Sequence, residues 1–300
     1  MAATDLFSSA KEIRNYVPVI EAAKQMGELE FAFREPEAKL KDLLGIETYD
    51  QIKAHYQGGT TVAILDDAVK YLQGSLANLA AVVFYVMDAS DRNREEKKVY
   101  KYQEDQQKGI FLDNASAELG QLLSLLDANT TTFTHWAQTA LYTTRQAQII
   151  TSHRDFGKYY YIDGSAYFFS RLVFLMKEIT EDKILPVIGS YADLDQEDYA
   201  KIVNQVKKTL AYLTMAMALR RFDFVELPKT IRNNVSDNQS RTIRTGGQEG
   251  EAIRRVSEEI EGKGIIYLEV LQRMIEKKTT GTLEEPEEIN DEDNQFYLQI

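Results

Sequence analysis

Phe7-Ser-Ser-Ala-Lys-Glu-Ile-Arg-Asn-Tyr16 and Ile150-Thr-Ser-His-Arg-Asp-Phe-Gly-Lys-Tyr159 decide how this chain is read, because the second stretch repeats the first 143 residues on. Ser9 aligns with Ser152, Glu12 with Asp155, Ile13 with Phe156, Tyr16 with Tyr159 and Val19 with Ile162. A second block, Leu40-Lys-Asp-Leu-Leu-Gly45, returns as Ile184-Leu-Pro-Val-Ile-Gly189 with an offset of 144. One residue of insertion separates the blocks, so the correspondence keeps its order. The expectation is a mainly α protein of two tandem helical-bundle units, residues 1–145 and 146–281, followed by a tail over 282–300.

The helical assignment rests on spacing. A serine followed three residues later by an acid, as in Ser9/Glu12 and Ser152/Asp155, is a helix-start signature in which the cap hydroxyl accepts an orphan amide proton. Leu29, Phe33, Leu40, Leu43 and Leu44 recur at helical intervals, as do Phe168, Leu172, Leu175, Ile179, Ile184 and Val187. Gly45 and Gly189 sit where a helix should terminate, and Pro36 is expected to kink its helix or mark a boundary. Longer helices are expected over about 61–83, with Ile64, Ala68, Leu72, Leu76 and Leu79 in phase, and over about 196–222, with Ile202, Val206, Leu210, Leu213, Met217 and Ala218. Met215 and Met217 are core fillers in that pattern.

Beyond those helices the residue types change. Val82-Val-Phe-Tyr-Val-Met87 with Lys98-Val-Tyr-Lys-Tyr102, and Phe222-Asp-Phe-Val-Glu-Leu227 with Arg241-Thr-Ile-Arg-Thr245, are rich in β-branched and aromatic residues. Each pair predicts a short β-hairpin arm, the second closed by the polar loop Pro228–Ser240. A final helix then ends each unit, marked by Leu112, Ala115, Leu119, Leu122 and Leu126, and by Ile253, Val256, Ile260, Leu268, Leu271 and Ile275. Trp136 and Leu141 give the segment joining the units something to pack.

Composition narrows the function classes. An apolar share of 44% with 27% charge describes a folded chain, and the absence of cysteine removes disulfides, thiolate metal sites and cysteine nucleophiles. No basic-then-apolar leader is read at Met1, and the run Leu79–Met87 falls short of the ~20 residues that cross a bilayer. A soluble protein without a membrane partner is expected. There is no phosphate-binding loop, dinucleotide glycine pattern or H-E-x-x-H. Gly58-Gly59 and Gly246-Gly247 read as turns, and His55, His135 and His153 lack ligand spacing. No catalytic residue, cofactor or metal site is assigned, and no enzyme is expected.

Charge is uneven within a net −12. Seven carboxylates lie between Glu284 and Asp293, leaving −5 for the rest, whereas residues 201–255 hold eleven Lys or Arg against five acids. Arg232, Arg241 and Arg244 are the candidate contact residues of that basic region, which suits a solvated face, an acidic protein surface or a nucleic-acid backbone. Phe296, Tyr297, Leu298 and Ile300, closing the acidic tail, suit docking into a groove or onto a sheet edge.

Ser9–Tyr16, Leu40–Gly45, Ser152–Ile162, Asp163-Gly-Ser165 and Ile184–Gly189 together resemble an uncharacterised family common in phages and prophages of Bacteroidetes. Members of that family are similar in organisation to head–tail connector, or adaptor, proteins of tailed phages. The first unit departs from the pattern with Asp42 where Pro186 stands in the second, and it has no Asp-Gly-Ser near Ile20. The resemblance implies a homo-oligomeric ring beneath the portal, bound to portal and tail proteins in the neck of the virion. It also implies assembly in the host cytoplasm and a channel through which DNA passes. The alternative is a soluble helical module that contacts nucleic acid or an acidic partner through residues 201–255.

Overall fold

A computed structural model describes residues 5–18, 26–94, 101–189, 200–244 and 251–279, and it is helical throughout. In chain order the helices are α1 (Ala10–Arg14), α2 (Met26–Leu44), α3 (Ile46–Gly58), α4 (Ala63–Arg94) and α5 (Lys101–Ala128). They continue with α6 (Ala140–Gln146), α7 (His153–Phe156), α8 (Ala166–Ile179), α9 (Leu185–Ile188), α10 (Ala200–Arg221), α11 (Lys229–Arg244) and α12 (Glu251–Thr279). A π-helical turn, Thr180–Ile184, joins α8 to α9.

The longest helices pair. α4 packs along α5 with α2 laid against α4, and α10 packs along α12 with α8 laid against α10. Their apolar stripes meet in one contiguous hydrophobic interior that runs from Leu6 and Phe7 to Ile260 and Leu271. α8 crosses onto α5 at a narrow point, where a Cβ on Gly120 would stand 3.8 Å from Ala166 Cβ. By length and hydropathy Ala63–Met87 of α4 would also pass for a membrane span, yet 56% of the most apolar window is buried within the bundle.

The expected β-hairpin arms are corrected, since the described residues contain no strand. Residues 82–87 continue α4. Phe84 lies against Phe31 of α2, with ring centroids 6.5 Å apart, and Tyr85 meets Phe111 of α5 at 6.3 Å. Packing on two neighbouring helices overrides the β-preference of these residue types. In the second region Phe224–Glu226 forms a 3-10 turn, and the loop expected over 228–240 is instead helix α11. Its signal was present: Pro228 stands where a helix begins, and Ile231 and Val235, four apart, are both buried. Pro36 does not end α2, which runs through it with Pro36 buried.

Tight helix contact gives a test of this packing. A Cβ on Gly264 of α12 would come 2.6 Å from Leu213 Cδ2 and 3.3 Å from the Leu213 backbone nitrogen of α10, whereas one on Gly262 would meet nothing within 4 Å. Gly264→Ala is expected to destabilise by about 1–2 kcal/mol through forced separation of α10 and α12. Gly262→Ala should stabilise by up to about 1 kcal/mol through helix propensity. Urea midpoints that move in the same direction for both variants would contradict this register.

Candidate functional site

The repeated stretches Phe7–Tyr16 and Ile150–Tyr159 land in comparable surroundings. Ile13 and Phe156 are fully buried, as are Phe7 and Ile150. Tyr16 donates its hydroxyl hydrogen bond to Gln73 of α4 at 3.0 Å, and Tyr159 does so to Asn204 of α10 at 2.9 Å. The acids also turn toward those helices. Glu12 accepts from Gln73 Nε2 at 3.0 Å, and Asp155 accepts from Lys207 Nζ at 2.7 Å. Burial alone would raise the pKa of Glu12, but bonds from the Ser8 amide, Tyr56, Gln73 and the Ser8 hydroxyl leave it below its ordinary value. Asp155 is held low likewise, burial being outweighed by Lys207 and Lys158. Tyr16, desolvated beside Glu12, is pushed up to about 12 and stays protonated.

Capping is split differently in the two places. Ser152 accepts the Asp155 amide at 3.2 Å, as the motif predicts. Ser9 makes no such bond; Glu12 takes the Ser8 amide at 2.8 Å instead. Gly45 and Gly189 both adopt positive φ, 80° and 71°.

Asp163-Gly164-Ser165 proves to be a junction. Asp163 and Gly164 have φ of 56° and 66°, a left-handed pair that an aspartate tolerates better than most side chains. The turn aims the Asp163 carboxylate at the start of α11, where it accepts the Thr230 amide at 2.9 Å and the Thr230 hydroxyl. Ser165 accepts the Phe168 amide at 3.0 Å and caps α8. One turn therefore satisfies orphan donors at two helix starts.

This junction forms part of the wall of a broad open cleft of about 1620 Å³. One side is the end of α2, the start of α3 and a face of α5; the other is α8, the segment before it and the start of α11. Two large apolar side chains are left open in it, Tyr161 at 62% and Phe174 at 50% exposure. Arg171 crosses the wall with Nη1 2.9 Å from Glu226 and its guanidinium 4.3 Å above the Phe222 ring. Burial, then the adjacent Arg154, lowers the pKa of His153, so this cleft residue is neutral at physiological pH.

The arginines of the basic region that the structure describes are largely paired with carboxylates, Arg232 mostly buried and Arg220, Arg221, Arg254 and Arg255 exposed. Arg232 holds Asp113 of α5 at 2.6 Å with its own side chain mostly buried, tying α11 to α5. Arg220 forks onto Glu261 and Arg221 onto Glu178, while Arg254 and Arg255 pair along α12 with Glu258 and Glu251. Sequence reasoning missed these uses because the partners are remote; Asp113 lies 119 positions from Arg232. Arg241 and Arg244 fall in the last turn of α11, with their side chains outside the described set. Phe296, Tyr297, Leu298 and Ile300 also lie outside the described residues.

Elsewhere, Thr60 Oγ1, His55 and Asp66 align at 3.3 Å and 2.8 Å, the order of a hydrolytic triad. Thr60 is exposed and is not among the cleft-lining residues, so the geometry supports a pin that fixes α3 to α4 across the Gly59 turn. Among the described residues no group of three or more His, Asp or Glu is placed to hold a metal ion.

Fold and cleft thus define a mainly α, helical-bundle protein with an open surface groove. Residues 173–289, less than half of the chain, match the model of a family of unknown function (DUF6712). No curated protein and no solved structure matches the chain.

Proposed function

We propose that this chain is a structural protein of a phage virion, a connector or adaptor subunit that assembles as a ring between portal and tail. The observation that carries the reading is the doubled layout. A motif tyrosine bonded to an amide side chain of a long helix occurs in each half, Tyr16 to Gln73 and Tyr159 to Asn204. In each half that long helix is paired with another, α4 with α5 and α10 with α12. We take this as one architectural plan laid down twice, a rigid body with two sides of related shape. Such a body suits head-to-tail contact with identical neighbours, the geometry that closes rings. The resemblance of Ser9–Tyr16, Ser152–Ile162 and Ile184–Gly189 to a phage family points the same way.

The alternative, nucleic-acid contact through residues 201–255, is weakened because Arg220, Arg221, Arg232, Arg254 and Arg255 already hold carboxylates. Phosphate would have to compete with those pairs, and Arg232, mostly buried against Asp113, is the one most firmly committed. The deciding experiment is light-scattering mass measurement of the purified chain, alone and mixed with any portal protein encoded in the same genome. A discrete multimer that co-migrates with the portal is expected. A chain that stays monomeric and joins neither portal nor tail proteins would remove the connector reading.

A further inference from the structure

We infer that the outward face of α12 is a two-fold contact through which two copies of this chain pair, helix against helix and antiparallel. The inference goes beyond the assembly reading above and does not depend on it, because a two-fold contact joins like surfaces whereas a head-to-tail contact joins unlike ones.

One side of α12 belongs to its own subunit. Ser257 bonds to the Ala216 carbonyl of α10, Gly264 lies against Leu213, and Ile260 and Leu271 are buried. The far side of such a helix is expected to be polar. Instead Ile265 and Ile266, at the midpoint of Glu251–Thr279, are 47% and 57% exposed. At 100° per residue Arg255, Glu259, Gly262, Ile266, Glu269 and Arg273 share an arc of about 80° opposite the buried side, with Ile266 near its middle. Gly262, one turn before Ile266, weakens the helix, and nothing within 4 Å of the missing Cβ calls for a glycine there. Across a contact it lets a second backbone approach closely.

The charges say what covers this face. Counted from the point between Ile265 and Ile266, Glu258 and Arg273 lie at equal distances of ~11 Å on either side, and Arg255 and Glu276 at ~16 Å. An antiparallel copy centred on that point sets Arg273 against Glu258 and Glu259, and Glu276 against Arg255. The two-fold axis makes each meeting twice, and Ile266 meets its counterpart at the axis. Other arrangements fail. A parallel copy brings every charge against itself. A slip of one turn in one direction opposes Glu259 to Glu269 and Arg255 to Arg273; in the other it opposes Glu259 to Glu276 and Ile266 to Glu269. Like charges placed opposite each other across an interface are costly. Within α12, Glu258 pairs with Arg254, Glu259 with Lys263 and Arg273 with Glu269. These are exposed pairs one turn apart, worth little, and their carboxylates can be shared with a partner.

The absence of cysteine from the sequence makes the test direct. A full-length chain carrying Ile266→Cys is oxidised gently, and a covalent dimer is expected several-fold above the yield with Glu35→Cys, an exposed control on α2. Identical cysteines meet across a two-fold axis and not across a head-to-tail contact, so this yield is read separately from ring formation or portal binding. Adding Arg273→Glu to the Ile266→Cys chain should return the yield to the control level, as should adding Glu258→Arg with Glu259→Arg. All of these side chains are exposed, so the core is untouched. Mixing the two charge-reversed chains should restore the dimer, because each reversed site then faces its opposite. No excess over control for Ile266→Cys would overturn the inference, as would an excess that survives Arg273→Glu or a mixture that recovers nothing.

Discussion

Asp127→Ala is expected to destabilise the fold by about 3 kcal/mol, because it strips the acceptor from a buried guanidinium. Arg145 is only 7% exposed, and it forks onto Asp127 with bonds of 2.8 Å and 2.6 Å. The same carboxylate accepts the Trp136 indole N–H at 2.9 Å. The guanidinium sits 5.1 Å from the Tyr142 ring centroid and 6.0 Å from that of Trp136, while its Nε already lacks a partner. Removing the carboxylate leaves a charge and an indole donor with nothing to replace water. Asp127→Asn keeps one acceptor at nearly the same position and should cost less. Pairing Asp127→Ala with Arg145→Met removes the stranded charge and should recover part of the loss. Trp136 is the sole tryptophan, so its fluorescence during urea unfolding reads the site directly. Wild-type stability in Asp127→Ala would show that the pair is merely a surface contact.

The position of this clamp connects stability to the shape of the cleft. Asp127 is in the last turn of α5, and Arg145 in the last turn of α6. Between them run His135, Thr139 and Leu141, which line the cleft. Thr139 also caps α6 by accepting the Tyr142 amide at 3.2 Å. Loosening the clamp should therefore blur one wall of the groove as well as lower the unfolding midpoint.

Several helices were legible in the sequence for a plain reason: their apolar residues sit three and four apart, and burial follows that period. Leu72 and Leu76 of α4, Leu119 and Leu126 of α5, and Val206 and Leu210 of α10 are all buried as expected. Ser152 acts as the helix cap its motif announces. The hairpin expectation fails because tertiary packing, not local residue type, decides these segments. Val82 and Phe84 suit a strand in isolation, but α2 and α5 offer them a helical berth. α11 was obscured by its polar surface, with Ile231 and Val235 as its buried anchors. The cleft could not be read at all. Its wall is assembled from segments between Lys39 and Thr230, and nothing in local spacing records which of them meet. Arg232 shows the same limit, since a guanidinium aimed at a partner and one aimed at Asp113 look alike in sequence.

Gly45→Ala should cost about as much as loss of the clamp, by a different route. Gly45 stands between α2 and α3 with φ 80° and ψ 140°, a conformation L-residues rarely adopt. Forcing a side chain into such a region costs of order 1–3 kcal/mol. A Cβ there would also come 2.9 Å from Thr139 Cγ2, so α3 and the segment entering α6 would have to part. The two penalties together predict a loss of about 3 kcal/mol. Gly59→Ala separates them, because Gly59 has φ 63° but open space around the position of the missing Cβ. It should show the backbone penalty alone, about 1 kcal/mol. The double variant Gly45→Ala/Thr139→Ser removes the obstructing methyl group while keeping the hydroxyl that caps α6, and it should recover the steric part only. Equal losses for Gly45→Ala and Gly59→Ala, with no recovery in the double variant, would mean that the α2–α3 corner does not press on the connector. The cleft wall at Thr139 would then be held by the Asp127–Arg145 pair without help from α3.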